Sequence, residues 1–177
     1  VAKEVLARKG DLGMTFDGDA DRALFADELG NVVNGDAVLL IAARDLQARK
    51  LLATDTVVAT TMSNMGLEAA LRTGGIRMLR AAVGDKYVLE EMQRTGAVLG
   101  GEQSGHILFL DRATTGDGLL TALLVLDILH RSGETLSELK DDLKVFPQVI
   151  VNVRVREKIP MESLPEVVAA IHDADLE

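Results

Sequence analysis

Between Asp36 and Leu143, short apolar or β-branched runs alternate with longer runs of helical periodicity, and glycines punctuate the joins. Helices are expected at 37–49 with Asp36 as N-cap, at 64–72 with Ser63 as cap and Gly74-Gly75 as stop, at 86–94 ending on Gly96, and at 118–130. Thr135 and Glu138 have the spacing of a capping box for one more. Strands are expected at 56–61, 76–79, 97–99 and 106–110. Such alternation can bury its apolar surface only by laying helices on a mainly parallel sheet, so the fold class is α/β. Residues 36 to about 143 are long enough to close a core of their own.

The flanks read differently. Residues 2–9 look like the end of a helix stopped by Gly10. A strand at 12–16, a returning strand at 23–26 and a turn at 29–31 follow. After Pro147, Val149, Val151, Val153 and Val155 alternate with Ile150, Asn152, Arg154 and Arg156, the pattern of a strand with one buried face. Ser163 and Glu166 then suggest a capping box for a last helix. One strand and one helix cannot bury a core. The expected architecture is therefore one complete mixed or parallel α/β-layer domain at 35–145, flanked by pieces of two truncated domains at 1–34 and 146–177. The first residue is not Met and opens a helix-like pattern, which suggests a piece of a longer chain.

The formal net charge is -9, with no basic surplus to neutralise a phosphate backbone, which argues against nucleic acid as a partner. No apolar run approaches the ~18 residues of a membrane span, and charges at Lys3 and Glu4 interrupt any leader-like start. Cysteine is absent, which excludes disulfides, Cys-ligated metals and thiolate catalysis. These features suit a cytoplasmic setting.

Chemistry concentrates in loops. Asp17-Gly18-Asp19-Ala20-Asp21-Arg22 follows a strand and sets three carboxylates on a tight turn. Their mutual repulsion is relieved by a divalent cation, and hard oxygen donors suit Mg²⁺. Arg22 adds a phosphate donor. A solvated acidic turn is the plainer reading. An EF-hand is rejected: Glu28 falls at the twelfth position, but Arg22 stands where the loop needs glycine, and the flanks are strands. A phosphatase with Asp17 as nucleophile and Asp19 as acid/base stays open, although Asp21 is foreign to that pattern.

Gly100-Gly101-Glu102-Gln103-Ser104-Gly105-His106 offers a carboxylate and a hydroxyl from a loop whose glycines let backbone approach a ligand. A hairpin turn explains it equally well. Gly84-Asp85-Lys86-Tyr87 puts backbone N–H groups and a cation at a helix start, although an Asp85 cap is the simpler account. Thr114-Thr115-Gly116-Asp117-Gly118 is read as a helix cap near the same cleft. His130 and His172 are taken as surface residues, and His106 as the histidine of interest.

In this order, the motifs resemble the α-D-phosphohexomutase superfamily, whose metal loop D-G-D-[AG]-D-R lies in the second of four domains and whose sugar loop G-E-x-S-G-H lies in the third. Met62-Ser63-Asn64-Met65-Gly66-Leu67, Gly84-Asp85-Lys86-Tyr87-Val88, Thr115-Gly116-Asp117-Gly118-Leu119-Leu120 and Phe146-Pro147-Gln148-Val149-Ile150-Val151-Asn152-Val153 are most similar to its bacterial phosphoglucosamine mutase branch. Lys86 departs from the Arg common there and keeps the charge without the fork.

The resemblance implies interconversion of glucosamine 6-phosphate and glucosamine 1-phosphate, on the route to UDP-N-acetylglucosamine. It proceeds through a phosphoserine enzyme and a hexosamine bisphosphate that also acts as activator. It implies Mg²⁺ on Asp17, Asp19 and Asp21, phosphoryl contact by Arg22, and a weaker catalytic role for Lys86. Gly101, Glu102, Ser104 and His106 become substrate-binding residues. In that frame 1–34 ends domain two, 35–145 is domain three and 146–177 begins domain four. No serine here stands in the family's phosphoserine motif, so the expectation is a chain inactive by itself. A phosphomannomutase or phosphoglucomutase, the aspartate-nucleophile phosphatase and a non-catalytic sugar- or metal-binding module are the alternatives.

Overall fold

A computed structural model describes residues 1–149, 151 and 153–174. Helix α1 (Ala2–Arg8) precedes an antiparallel three-stranded sheet of β1 (Leu12–Phe16), β2 (Ala23–Asp27) and β3 (Val32–Val33), in the order β1-β2-β3. The α/β layer follows as α2 (Gly35–Ala48), β4 (Thr56–Thr60), α3 (Met65–Thr73), β5 (Arg77–Ala81), α4 (Asp85–Thr95), β6 (Leu99–Gly101), β7 (Ile107–Phe109), α5 (Gly118–Ser132) and α6 (Leu136–Leu139). Its sheet runs β5-β4-β6-β7. β4 is parallel to β5 and β6, whereas β7 returns antiparallel to β6, as a short loop between them requires.

Every residue of β4 is buried, because helices cover both faces of the sheet. Val57 and Ala59 face a core shared with Leu39 and Leu40 of α2, Leu67 and Leu71 of α3, and Val125 of α5. Val58 points the other way, against Val88 and Met92 of α4. Ala23 and Phe25 of β2 and Val33 of β3 join the first of these cores, so the hairpin sheet and the layer pack as one body. Residues Val1–Pro147 form one compact unit and Gln148–Glu177 a second. Within the second, a 3₁₀ turn at Met161–Ser163 precedes α7 (Pro165–Ala174). Among the described residues, no helix is long and apolar enough to cross a membrane.

Several expected helix ends are displaced. Asn34, not Asp36, caps α2, its side chain accepting from the Ala37 N–H at 3.3 Å. Asp36 is the second residue of the helix, is buried, and accepts from the Asn64 N–H at 2.8 Å. Burial pushes its carboxyl above the usual range, against the lowering effect of that N–H, Ser63 and Arg80. Asn64, not Ser63, caps α3. Gly84 occupies the cap position of α4, while the Asp85 carboxylate binds the Lys86 N–H. Lys9, not Gly10, takes the left-handed position after α1 (φ 54). The Thr135–Glu138 capping box is present in full.

Among the described residues of the expected strand over 149–156, none is in a strand. Ile150 and Asn152 lie outside the described residues; Val149, Val151, Val153 and Val155 are exposed and in no strand. Alternation supplies a strand's side chains but not its hydrogen-bond partner, and no described strand pairs with this one. The Ser163–Glu166 box is also missing: the Ser163 hydroxyl donates to the Pro160 carbonyl at 2.6 Å.

Asp27 ties α6 to the hairpin sheet. It is fully buried and accepts from the Asn31 backbone at 2.7 Å, the Asn31 amide at 3.1 Å and the Lys140 ammonium at 3.0 Å. Burial alone would raise its pKa, but Asn31 and Lys140 outweigh burial and hold the carboxyl below its usual value. A depressed carboxyl stabilises the fold above its unfolded pKa, and that contribution is lost as pH falls through the folded value. Lys140→Met should therefore cost about 1–3 kcal/mol at pH 7. In urea unfolding the gap to wild type should narrow as pH falls below the ordinary carboxylate range and Asp27 takes up a proton.

Candidate functional site

The parallel strands β4, β5 and β6 end on the same edge of the sheet, the edge where open α/β sheets bind ligands. β4 is the first of them in sequence, and its neighbours β5 and β6 lie on opposite sides. The chain beyond these ends supplies Thr60 and Met62, Val83 and Gly84, and loop 102–105. A cleft of about 270 Å³ opens here, lined by Thr60, Met62, Val83, Glu102, Gln103 and Ser104.

Glu102 is held from two sides. One carboxylate oxygen accepts from the Gly84 N–H at 2.9 Å, the other from the Ser104 hydroxyl at 3.1 Å. The loop closes with the Glu102 N–H on the His106 carbonyl (2.9 Å) and the Gly105 N–H on the Glu102 carbonyl (3.0 Å). The Gly35 N–H, at the start of α2, donates to the Gln103 carbonyl at 3.0 Å. A Cβ at Gly35 would overlap the Glu102 carbonyl oxygen, so only glycine lets the helix start approach this closely.

The aspartate loop lies on the other side of the same loop. Asp17, Asp19 and Asp21 converge until one ligand oxygen of each lies within 4.8 Å of the others. Ala20 holds φ 60 at the tip, and the Arg22 N–H returns to the Asp17 carboxylate at 3.2 Å. The Arg22 guanidinium Nε stands 3.7 Å from both Asp17 Oδ2 and Asp21 Oδ1. Asp21 Oδ1 is buried without a hydrogen-bond partner among the described residues. Three hard, convergent carboxylates, one with an unserved oxygen, suit an octahedral cation that keeps part of its water shell.

The two loops, far apart in sequence, are joined directly. The Ala23 N–H donates to the Gly105 carbonyl at 3.1 Å. His106 Nδ1 donates to Asp21 Oδ2 at 3.0 Å, since a carboxylate only accepts. The His106 ring is 4% exposed and lies beneath the loop, with Nε2 unpaired among the described residues. A Cβ at Gly116 would overlap the ring, so the turn before α5 closes over it. The Gly118 N–H, at the start of α5, donates to the Ala20 carbonyl at 2.9 Å, and Asp117 caps that helix through the Leu120 N–H at 2.9 Å.

Asp17, Asp19, Asp21, Arg22, Glu102, Ser104 and His106 thus share one region, with buried Gly101 at the end of β6 as its base. Lys86 is on the first turn of α4, largely exposed, 3.8 Å from Glu90 and 6.0 Å from the Tyr87 ring centroid. It does not line the cleft. Gly35, Met62 and Val83 were not singled out as site residues from sequence. A glycine in the first turn of an otherwise apolar helix is the one signal that could have flagged Gly35, because glycine is a poor helix former.

The chain matches the family described as phosphoglucomutase/phosphomannomutase, alpha/beta/alpha domain III, over residues 34–146. It is 72% identical over 177 residues to a phosphoglucosamine mutase of Koribacter versatilis (strain Ellin345), covering 98% of this chain and 38% of the relative. It is 58% identical over 167 residues to one from Solibacter usitatus (strain Ellin6076), covering 94% and 37%. Among solved structures, a phosphoglucomutase/phosphomannomutase family protein from Burkholderia thailandensis superposes with a TM-score of 0.71 at 30% identity, covering 85% of this chain and 32% of that one. The chain spans about 38% of the length of the first of these relatives. On the match of its whole α/β layer, the chain belongs to the phosphoglucomutase/phosphomannomutase family, within the phosphohexomutase superfamily.

Proposed function

We propose that this chain supplies the metal loop and the sugar loop of a phosphoglucosamine mutase, an intramolecular phosphotransferase that interconverts glucosamine 6-phosphate and glucosamine 1-phosphate. The observation that carries the reading is the direct junction of an acidic, cation-suited loop to a carboxylate–hydroxyl cleft through His106 and Asp21. The 72% identity to a protein of that name supports the choice of sugar. In this reading residues 1–34 end the second domain of such an enzyme, 35–145 are the third and 146–177 begin the fourth.

Asp17, Asp19 and Asp21 would hold Mg²⁺, which when bound offsets negative charge on a phosphoryl group in transfer. Arg22, beside two of these carboxylates, is assigned to phosphoryl contact. Glu102 and Ser104 are assigned to sugar hydroxyls: the carboxylate accepts, and its two internal hydrogen bonds fix its orientation before the sugar arrives. Gly101 and Gly105 let the loop backbone approach both its neighbours and a ligand. His106 is assigned to substrate binding through the loop it anchors and through Asp21, whose carboxylate it orients. Lys86 is assigned to long-range attraction of the substrate phosphate, in keeping with its exposure and its position outside the cleft lining. The phosphoserine donor and the hexosamine bisphosphate belong to the whole enzyme's cycle.

Two measurements test this reading. In a protein of the relatives' full length that carries this segment, ³¹P NMR with Mg²⁺ and a trace of bisphosphate should show glucosamine 6-phosphate converting to the 1-phosphate in preference to glucose and mannose phosphates. Preference for the latter would move the substrate within the family, and release of inorganic phosphate would support the phosphatase instead. On the chain itself, Mn²⁺ binding followed by electron paramagnetic resonance should be abolished by Asp19→Asn. Gly116→Ala, which crowds the His106 ring off Asp21, should weaken it by about 10–100-fold. Unchanged Mn²⁺ affinity in both variants would refute the metal assignment.

A further inference from the structure

Asn64 does more than cap a helix. A cap needs only an acceptor for the first free N–H groups, and Ser, Thr, Asp or Asn serve about equally. Asn64 Oδ1 fills that role by accepting from the Gly66 N–H at 2.9 Å. The same oxygen also accepts from the Phe146 N–H at 2.9 Å, and Asn64 Nδ2 donates to the Phe146 carbonyl at 2.8 Å. The side-chain amide therefore pairs with the main chain of Phe146 in both directions, as a neighbouring strand would. Its own N–H is fixed by the buried Asp36 carboxylate at 2.8 Å, so the clamp is anchored on α2.

Leu143 packs against the core, and the Leu143 and Lys144 N–H groups donate to the Lys140 and Asp142 carbonyls at 2.9 and 3.0 Å, which holds the start of the clamped stretch. Residues 143–147 adopt no regular structure, and the Val145 and Phe146 side chains are 71% and 48% exposed. Its path is nonetheless close to α3, because a Cβ at Gly66 would overlap the Lys144 carbonyl oxygen. The compact unit ends one residue later, at Pro147. We propose that Asn64 is a positioning residue that locks the main chain at Phe146, at the end of the first unit. No other common cap residue can do both tasks: Asp lacks the donor, and Ser is too short and has a single hydroxyl. The inference stands independently of the substrate assigned above.

Hydrogen–deuterium exchange on the full 177-residue chain tests it. In the unmutated protein the Phe146 amide should exchange at least about ten-fold more slowly than in an unstructured peptide, the protection expected of one satisfied hydrogen bond. Asn64→Asp and Asn64→Ser should each abolish most of that protection, while amides within Met65–Thr73 stay within about two-fold of wild type because the cap acceptor is kept. An unprotected Phe146 amide in the wild-type chain would overturn the proposal without any variant having to fold. So would protection at Phe146 that survives both substitutions.

Discussion

The hydrogen bond from His106 Nδ1 to Asp21 Oδ2 is the side-chain link between the two loops on which the candidate site depends. The ring is buried and the Asp21 side chain partly exposed, and the bond fixes both the ring and the carboxylate. Around it main chain meets main chain. Ala23 bonds Gly105, Gly118 bonds Ala20, and Gly35 bonds Gln103. Such contacts tolerate no side chain in between, so glycine at 35 and 118 is set by packing, while Gly105 also holds φ 94.

The sheet explains why the loops meet where they do. With β5 and β6 on opposite sides of β4, the chain leaves the strand ends in divergent directions and opens a crevice between them. The Glu102 carboxylate spans that crevice and is tied by Gly84 from the next connection. The chain's charge of -9 would by itself repel a phosphate. In the proposed reading, a divalent cation together with Arg22 would offset the negative charge that the three convergent carboxylates gather there.

Much of this was legible in the residues. The alternation between 36 and 143 carried the α/β class, since few other arrangements bury such a pattern. The three aspartates and the Glu102–Ser104 pair were visible because their chemistry is unusual at that spacing. Helix ends were less legible. Asp36 and Ser63 are as good N-caps as Asn34 and Asn64 by type, and the choice fell to Asn where its side chain could reach the right N–H. The valines at 149, 151, 153 and 155 have a strand's alternation but no described partner, and pairing is not a property of one segment.

By itself, the sequence determined the layer, its order of elements and the residue types of both loops, because these rest on periodicity and side-chain chemistry. Tertiary structure alone decided that His106 serves Asp21 from below the loop, and that Asp36 and Asn64 leave their expected roles to brace one another and Phe146. It also decided that α2 and α5 begin against the site loops. Each of these is a contact between segments remote in sequence, settled by which donor and acceptor the packed core brings within 3 Å or so of each other.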